Sequence, residues 1–563
     1  MSDPIINTSP KKTQIDLEER HGWQRSAYPN IVIWTNGYGD IRDHENLAKQ
    51  AQGIVADPSL SGVSHIVEQL DGHFAIVVQG DGWTCAAVDR VRSIPLAYGA
   101  NSNGWRVDGQ AGRLRQTLNL SNKHIDSTAA RALGMAGYTI DEATLYRDIN
   151  SLGPGELVFL RNGKAPERDR YYCYRPWRAD KPLFDQAAAS KALSETLLAT
   201  IDRMMDGIGD RLLVVPLSAG RDSRVIVSAA RHLGYKNVRT FAYGRPGNHE
   251  AKTSQYVAEM LGYDWQFVPT PTSVMRDYYA SEDWRGYSQF ADTLQSTPFV
   301  QDHPQIRMLK KQGYIPQDAV IANGNSGDYL SGAHISPDTR EMTQNRREDD
   351  RISGILDALS KKHFSLWQSL RSAENCAEIN RLLKNSIDRA GATLGEPKDD
   401  FGIYEYAEFQ DRQCKYVIGG QRIYEFLDHE WRMPLWDNPL LDFFEMMPRE
   451  AKIGQRLYIE TLERENWAGV WQNIPVNART IKPNWIRPLR LLSKIAHAPF
   501  GRDAWHTFEK RFFGYWMELG GQSAIRSYSE VVRDRRGARH GVAWLTEAYL
   551  AQHDLDYAGT PYT

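Results

Sequence analysis

Residues 212–224 read LLVVPLSAGRDSR, and they narrow the fold more than any other part of the chain. A short, mostly apolar run enters a Ser-Ala-Gly-Arg-Asp-Ser turn, and an amphipathic helix follows. A strand, a turn of small residues and a helix in that order form the layout of a phosphate-binding loop at a strand's C-terminal edge. Small residues at Ser218, Ala219 and Gly220 let backbone N–H groups approach an anion closely. Ser218 and Ser223 add hydroxyls, and Asp222 adds a carboxylate suited to a divalent cation. The Gly-x-x-x-x-Gly-Lys-[Ser/Thr] spacing of a Walker A loop is absent.

Composition sets wider limits. With 563 residues and 41% hydrophobic content the chain can bury sizeable cores, and its length suggests about two to four domains. A net charge of −2 gives no reason to expect a nucleic-acid or acidic-membrane partner. Cys85, Cys173, Cys376 and Cys414 are widely spaced, so neither a zinc site nor a disulfide framework is indicated. The polar first twenty residues lack the apolar core of a signal peptide, and no apolar run reaches the ~20 residues needed to span a bilayer. These features lead to the expectation of a cytoplasmic protein without membrane insertion.

Residues 31–180 read as mostly β. A short strand at 31–34 ends at Asn36-Gly37, a turn signal. Strand-like runs at 72–78 and 84–88 flank Gly80-Asp81-Gly82, and a further strand at 156–160 precedes Asn162-Gly163. The polar stretch at 175–182 marks a boundary between a domain at 1–180 and one at 181–563. Beyond it, helix and strand alternate. A helical stripe at 185–205 carries Leu193, Leu197, Ile201 and Met204. The loop helix at 223–233 stops at Gly234, 238–243 is a strand, Asn248 caps a helix to Leu261, and 265–268 is a strand. This β-α-β order predicts a parallel sheet with ligands at the strand C-termini. A short strand at 319–322 feeds Asn323-Gly324-Asn325-Ser326-Gly327-Asp328, and the remainder reads as largely helical. The charged segment 340–351 reads as a solvated helix face or loop.

The loop at 218–223 resembles the SGGxDS signature of the ATP pyrophosphatases, and the whole chain resembles the asparagine synthetase family. In the N-terminal part the resemblance rests on Asn36-Gly37, residues 70–75 (LDGHFA), Asp89-Arg90, Pro95-Leu96, Tyr98, Thr144, Ile149 and residues 152–155. In the C-terminal part it rests on Ser218 through Ser223, Asn323 through Asp328, Glu430 through Asp437, and Arg479 through Lys482. The matches occur in family order. The resemblance implies an α/β chain: an antiparallel β-rich, N-terminal-nucleophile-type amidotransferase-like domain, then a parallel-sheet pyrophosphatase-loop domain with a helical C-terminal part.

Three departures stand beside the matches. The family's amidotransferase nucleophile is a cysteine after the initiator Met, whereas this chain has Ser2, and a hydroxyl is far less nucleophilic than a thiol. The segment before Ile31 reads as a polar tail rather than a buried first strand. The N-terminal domain is therefore expected not to hydrolyse glutamine. Asn325 stands where asparagine synthetases carry Glu and β-lactam-forming relatives Tyr, and a carboxamide cannot serve as a general base. Ala219 replaces a glycine, adding a methyl near the phosphates. The strings PLSAGRDSR, FAYGRPGNHEA and GNSGDYLSGAHI most resemble asparagine-synthetase-like proteins encoded with bacterial surface-polysaccharide pathways.

The resemblance implies an ATP-dependent amide ligase that adenylates a carboxylate, releases pyrophosphate and transfers ammonia or an amine. Its partners would be the small-molecule carboxylate and amine, without nucleic acid, and the family resemblance allows a homodimer. ATP and pyrophosphate would contact Leu217, Ser218, Ala219, Gly220, Arg221, Ser223, Tyr243 and Gly324. Asp222 and Asp328 would share Mg²⁺, and Lys482 would bring positive charge to the departing pyrophosphate. Other readings stay open. Residues 218–223 also fit an ordinary β-to-α turn, Asp328 a helix N-cap and Lys482 a solvated lysine. Glu250 fits a first-turn helix residue, with an adenosine contact secondary, and Glu430 with Arg432 a buried ion pair. Rival functions are a glutamine-hydrolysing asparagine synthetase, a ligase or cyclase of the β-lactam synthetase or lasso-peptide type, and a non-catalytic partner protein. A tRNA-modifying enzyme is disfavoured by the lack of basic charge and paired cysteines.

Overall fold

Three sheets organise the residues that the computed structural model describes, which are 12–178, 180–181, 183–335, 347–474, 476, 481 and 483–562. The strands, in chain order, are β1 (Gln14–Asp16), β2 (Gln24–Tyr28), β3 (Ile31–Gly39), β4 (Gly72–Gln79) and β5 (Trp83–Val88). Then come β6 (Ala97–Asn101), β7 (Gly104–Asp108), β8 (Ile149–Ser151), β9 (Glu156–Arg161) and β10 (Glu167–Arg170). The last five are β11 (Leu213–Pro216), β12 (Val238–Gly244), β13 (Asp264–Pro269), β14 (Val320–Ala322) and β15 (Glu430–Arg432).

A six-stranded antiparallel sheet runs β10-β9-β5-β4-β3-β2, and a four-stranded mixed sheet, with β1 parallel to β7, runs β1-β7-β6-β8. The β4–β5 hairpin turns at Gly80-Asp81-Gly82, where Gly82 has φ +74°. One face of the larger sheet packs Phe74, Ile76 and Phe159 against helices His44–Ala56 and Leu60–Glu68. The other face sends Val77, Val88 and Leu160 into the same apolar cluster as Leu193, Leu213 and Trp431. Burial on both faces explains why GHFAIVVQ shows no apolar alternation.

Two N-terminal expectations are corrected. Asn36-Gly37 is not a turn: β3 continues through it, pairing Asn36 with Ala75 and Gly37 with Phe74. Gly37 has φ +119°, and a Cβ there would sit 2.0 Å from the His73 carbonyl oxygen, so the position demands glycine for close approach. Nor do residues 12–30 form a polar tail. They hold β1 and β2, and Trp23 between them is buried. This region is also less β than expected, with helices at Ala111–Thr117 and Ser127–Ala136 besides the two already named.

The third sheet is wholly parallel, in the order β13-β12-β11-β14-β15. Helix Gln186–Ile208 precedes it, capped by the Asp185 side chain, and buries Leu193, Leu197, Ile201 and Met204. Helix Asp222–His232 follows β11, and Gly234 with φ +93° lies just past its end. Asn248 caps helix His249–Leu261 by accepting from the Ala251 N–H, and Gly262 ends it in the left-handed region. β11 is central and apolar, so its C-terminal end opens onto the middle of the sheet edge, where the loop lies. Glu430 through Arg432, in the stretch read as largely helical, instead form the edge strand β15. Residues 340–346 of the charged segment lie outside the described residues. Arg351 at its end is not solvated, because it is buried in a helix with Asp400 at 2.5 Å.

Candidate functional site

The chain leaves β11 at Pro216 and enters helix Asp222–His232 six residues later. The turn between is held by its own side chains. Ser218 N–H donates to Ser223 Oγ at 3.1 Å, and Gly220 N–H donates to Ser218 Oγ at 3.0 Å. These two amides were expected to face an anion directly, but the hydroxyls already engage them. The helix beginning at Asp222 points its N-terminus at this turn, and the first-turn N–H groups and the dipole of a helix favour negative charge there. Arg224 braces the turn from beneath: fully buried, it donates to Ala219 O at 3.0 Å and Val470 O at 3.3 Å and lies over the Trp471 ring. Ala219 is itself fully buried and absent from the cavity lining.

The second loop closes on the first because it has no Cβ where the two touch. A Cβ on Gly324 would lie 2.5 Å from Ser223 N, and one on Gly327 would lie 2.7 Å from Leu435 Cδ1 and 3.1 Å from the Asp222 carboxyl carbon. With glycine at both positions, Asp328 N–H reaches Asp222 Oδ2 at 2.9 Å. Tyr458 OH lies 3.4 Å from the other Asp222 oxygen. Asp328 is not an N-cap: it sits in the first turn of helix Gly327–Leu330.

A cavity of about 550 Å³ spans both loops. Leu217, Ser218, Gly220, Arg221, Asp222, Ser223, Tyr243, Gly324 and Asp328 line it, as do Glu250, Gln301, Asn323, Asn325 and Gln455. Lys482, Arg479 and Ser2 lie outside the described residues. Glu250 occupies the first turn of its helix and also borders the cavity.

Electrostatics separate the two aspartates. Burial, with Asp328 alongside, pushes the Asp222 carboxyl up to about 8. Burial pushes Asp328 up as well, but His334 overrides it and holds this carboxyl below its ordinary value, with Nε2 at 3.6 Å. His334 also bonds the buried Glu408 through Nδ1. Burial lowers His334, yet Asp328 and Glu408 together raise it to about 9. Glu408 in turn draws Lys362 Nζ, Arg412 NH1, His363 Nε2 and Gln413 Nε2, each at 3.2 Å. Against its burial, His363 and His334 pull the Glu408 carboxyl well below the usual range. Sequence reading missed His334, Glu408, Arg224 and Tyr458. Only Arg224 carried a local signal, as the last residue of the loop string.

Away from the 218–223 loop, four carboxamides, Gln301, Asn323, Asn325 and Gln455, line part of the cavity wall. Asn325 Nδ2 donates to Gln301 Oε1 at 3.1 Å, and Asn323 Oδ1 accepts the Asn325 N–H at 3.2 Å. Behind them Tyr424 OH donates to Asp302 Oδ2 at 3.1 Å, and burial pushes that carboxyl up to about 7.

The Glu430–Asp437 segment is not in this cavity. Glu430 and Arg432 pair at 3.4 Å, and Arg211 adds a 2.9 Å contact to Glu430. Arg432 lies 4.4 Å from the Tyr38 ring centre, and Tyr38 OH accepts the Met433 N–H at 3.0 Å. Asp437 meets Arg203 at 2.7 Å, and Asn438 meets Asp71 at 2.8 Å. These contacts stitch the parallel sheet to the N-terminal sheet.

Residues 192–460 match the asparagine synthase family model. The matched segment holds β11 through β15, both loops and Tyr458. Among curated proteins, no match to the chain was found. Two solved structures overlap parts of the chain. One is the glutamine phosphoribosylpyrophosphate amidotransferase from B. subtilis complexed with ADP and GMP, at 12% identity and TM-score 0.18, covering 45% of this chain and 74% of that one. The other is described as the allosteric regulatory enzyme of purine biosynthesis, at 12% identity and TM-score 0.18, covering 44% of this chain and 62% of that one. Overlaps of that size carry no conclusion about this chain.

Proposed function

We propose that the chain is an ATP-dependent amide-forming ligase that adenylates a carboxylate and transfers ammonia or an amine to it. The observation that carries this reading is the meeting of Asp222 and Asp328 beside a helix N-terminus, within a segment that matches the asparagine synthase model. A carboxylate becomes reactive toward an amine when it attacks the α-phosphorus of ATP and pyrophosphate leaves. In this reading the N-terminal amides of helix Asp222–His232 hold phosphate oxygens, and the Ser218–Ser223 hydroxyl pair fixes the turn that aims them. Tyr243 and Glu250 border the nucleoside end. Two carboxylates, one of them buried and pushed up for want of a counter-charge, suit Mg²⁺, which takes one or two protein carboxylates plus phosphate oxygens. When bound, the ion would neutralise charge on the leaving pyrophosphate. Lys482 would add positive charge to the same group.

The acceptor is proposed to be a sugar acid of the uronic type. Gln301, Asn323, Asn325 and Gln455 give that end of the cavity donors and acceptors without charge, which suits hydroxyl groups. The test is carboxylate-dependent exchange of labelled pyrophosphate into Mg·ATP. Exchange stimulated by uronic acids and not by aspartate is the expected result, and exchange with aspartate alone would overturn the acceptor class.

Residues 1–180 are proposed to form an amidotransferase-like domain that does not hydrolyse glutamine, and 181–563 the synthetase domain. The core that they share gives the first unit a structural role without catalysis, because it covers apolar surface of the second. Purified protein is expected to release no glutamate from glutamine, with or without ATP, and to form product from ammonium. Glutamate release that vanishes in Ser2→Ala would restore a working amidotransferase.

A further inference from the structure

Helix Ile486–His497 turns its apolar side away from the protein. Trp485, Leu489, Leu492 and Ile495 recur at spacings of four, three and three, which places them on one helical face, and they are 53%, 49%, 64% and 63% exposed. Leu491 and Phe500 extend the patch. The opposite face does the packing: Ile486 is fully buried, Arg490 pairs with Glu509, and the His497 ring lies 4.2 Å from that of Phe508. Twelve large apolar side chains are exposed among the described residues, and six of them fall between 485 and 500. A patch of this kind on a single helix marks a docking surface.

The charge around it selects the occupant. Residues 483–502 contain no Asp or Glu, and they carry Arg487, Lys494 and Arg502 besides the Arg490 that Glu509 pairs. The net charge of −2 for the whole chain averages this local excess away. No helix among the described residues is long and apolar enough to cross a membrane. A helix with Trp, Leu, Ile and Phe on its free face and Lys and Arg beside it has the makeup of one lying in the plane of a bilayer interface. Nucleic acid would match the cations but leave the apolar side chains in water.

We propose that helix Ile486–His497 docks the protein onto the surface of an anionic lipid bilayer. Trp485, Leu489, Leu492 and Ile495 would enter the headgroup boundary, while Arg487 and Lys494 meet lipid phosphates. This inference is independent of the ligase reading.

The test is co-sedimentation of the full chain with phosphatidylcholine vesicles, with and without about 30% phosphatidylglycerol. Binding to the anionic vesicles is expected, weakened at least ~tenfold without phosphatidylglycerol and reduced by added salt. Leu492→Ser combined with Ile495→Ser changes only exposed side chains. It is expected to weaken binding at least ~tenfold while leaving the thermal unfolding curve unchanged. Failure to bind anionic vesicles, or binding that survives the double substitution, overturns the proposal. So does gel filtration in which the double substitution converts a dimer to a monomer, since the face would then join two copies of the chain.

Discussion

Asp222→Ala and Asp328→Ala are each expected to lower turnover by at least ~10²-fold, because in the proposed reaction each would hold the cation that stabilises the leaving pyrophosphate. The fold should survive both changes. Asp222 spends free energy in the native state: buried beside Asp328, its carboxyl is pushed up to about 8. A carboxyl whose pKa is raised by folding contributes stability below its unfolded value, near 4, and loses that contribution as pH rises toward 8. Asp222→Asn is therefore expected to gain stability relative to the unsubstituted protein across that window. The opposite sign applies to the proposed Mg·ATP binding, which would use the ionised carboxylate and should weaken as pH falls below about 8. Near-normal activity of either alanine variant at saturating Mg²⁺ would remove that residue from the machinery.

Lys452→Ala is expected to be the most destabilising single change on the far side of the second loop, at ~3–5 kcal/mol. Lys452 Nζ lies 2.6 Å from Glu405 Oε1, with both side chains almost wholly buried. It also reaches Tyr174 OH at 3.2 Å, tying the N-terminal part to the helices. Burial lowers the lysine and raises the glutamate, so neither charge is comfortable alone. Removing the lysine strands the carboxylate, and the loss should shrink at acid pH, where Glu405 can take up a proton. Urea unfolding of Lys452→Ala, and of Lys452→Met with Glu405→Leu, separates the two causes. Recovery in the double variant shows that the stranded charge was the cost. An equally large loss in the double variant would assign it to packing.

The parts of the fold legible in the sequence are those specified by neighbours in sequence. The strand entering Ser218, the helix from Asp222, the left-handed Gly234 and Gly262 and the Asn248 cap all depend on residues within a turn or two. What escaped notice depends on distant partners. β1 is three residues long and pairs with Arg106 through Asp108, some ninety residues on. β15 pairs with β14 across more than a hundred residues, and its sequence, EWR, has no strand pattern of its own. Asn36-Gly37 reads as a turn until His73 is seen to need the space that a side chain would fill. The same holds for the site. Asp222 and Asp328 were legible because each sits in a recognisable loop, whereas His334 and Glu408 are joined only by folding, 74 residues apart. The burial of Ala219 likewise depends on the fold around the loop and not on its neighbours in sequence.

The most direct test of the ligase account is the fate of ATP. Protein supplied with Mg·ATP, a carboxylate acceptor and ammonium should convert ATP to AMP and pyrophosphate in step with amide formation, as resolved by nucleotide chromatography. ADP and orthophosphate in their place would contradict adenylation at this loop and, with it, the central claim.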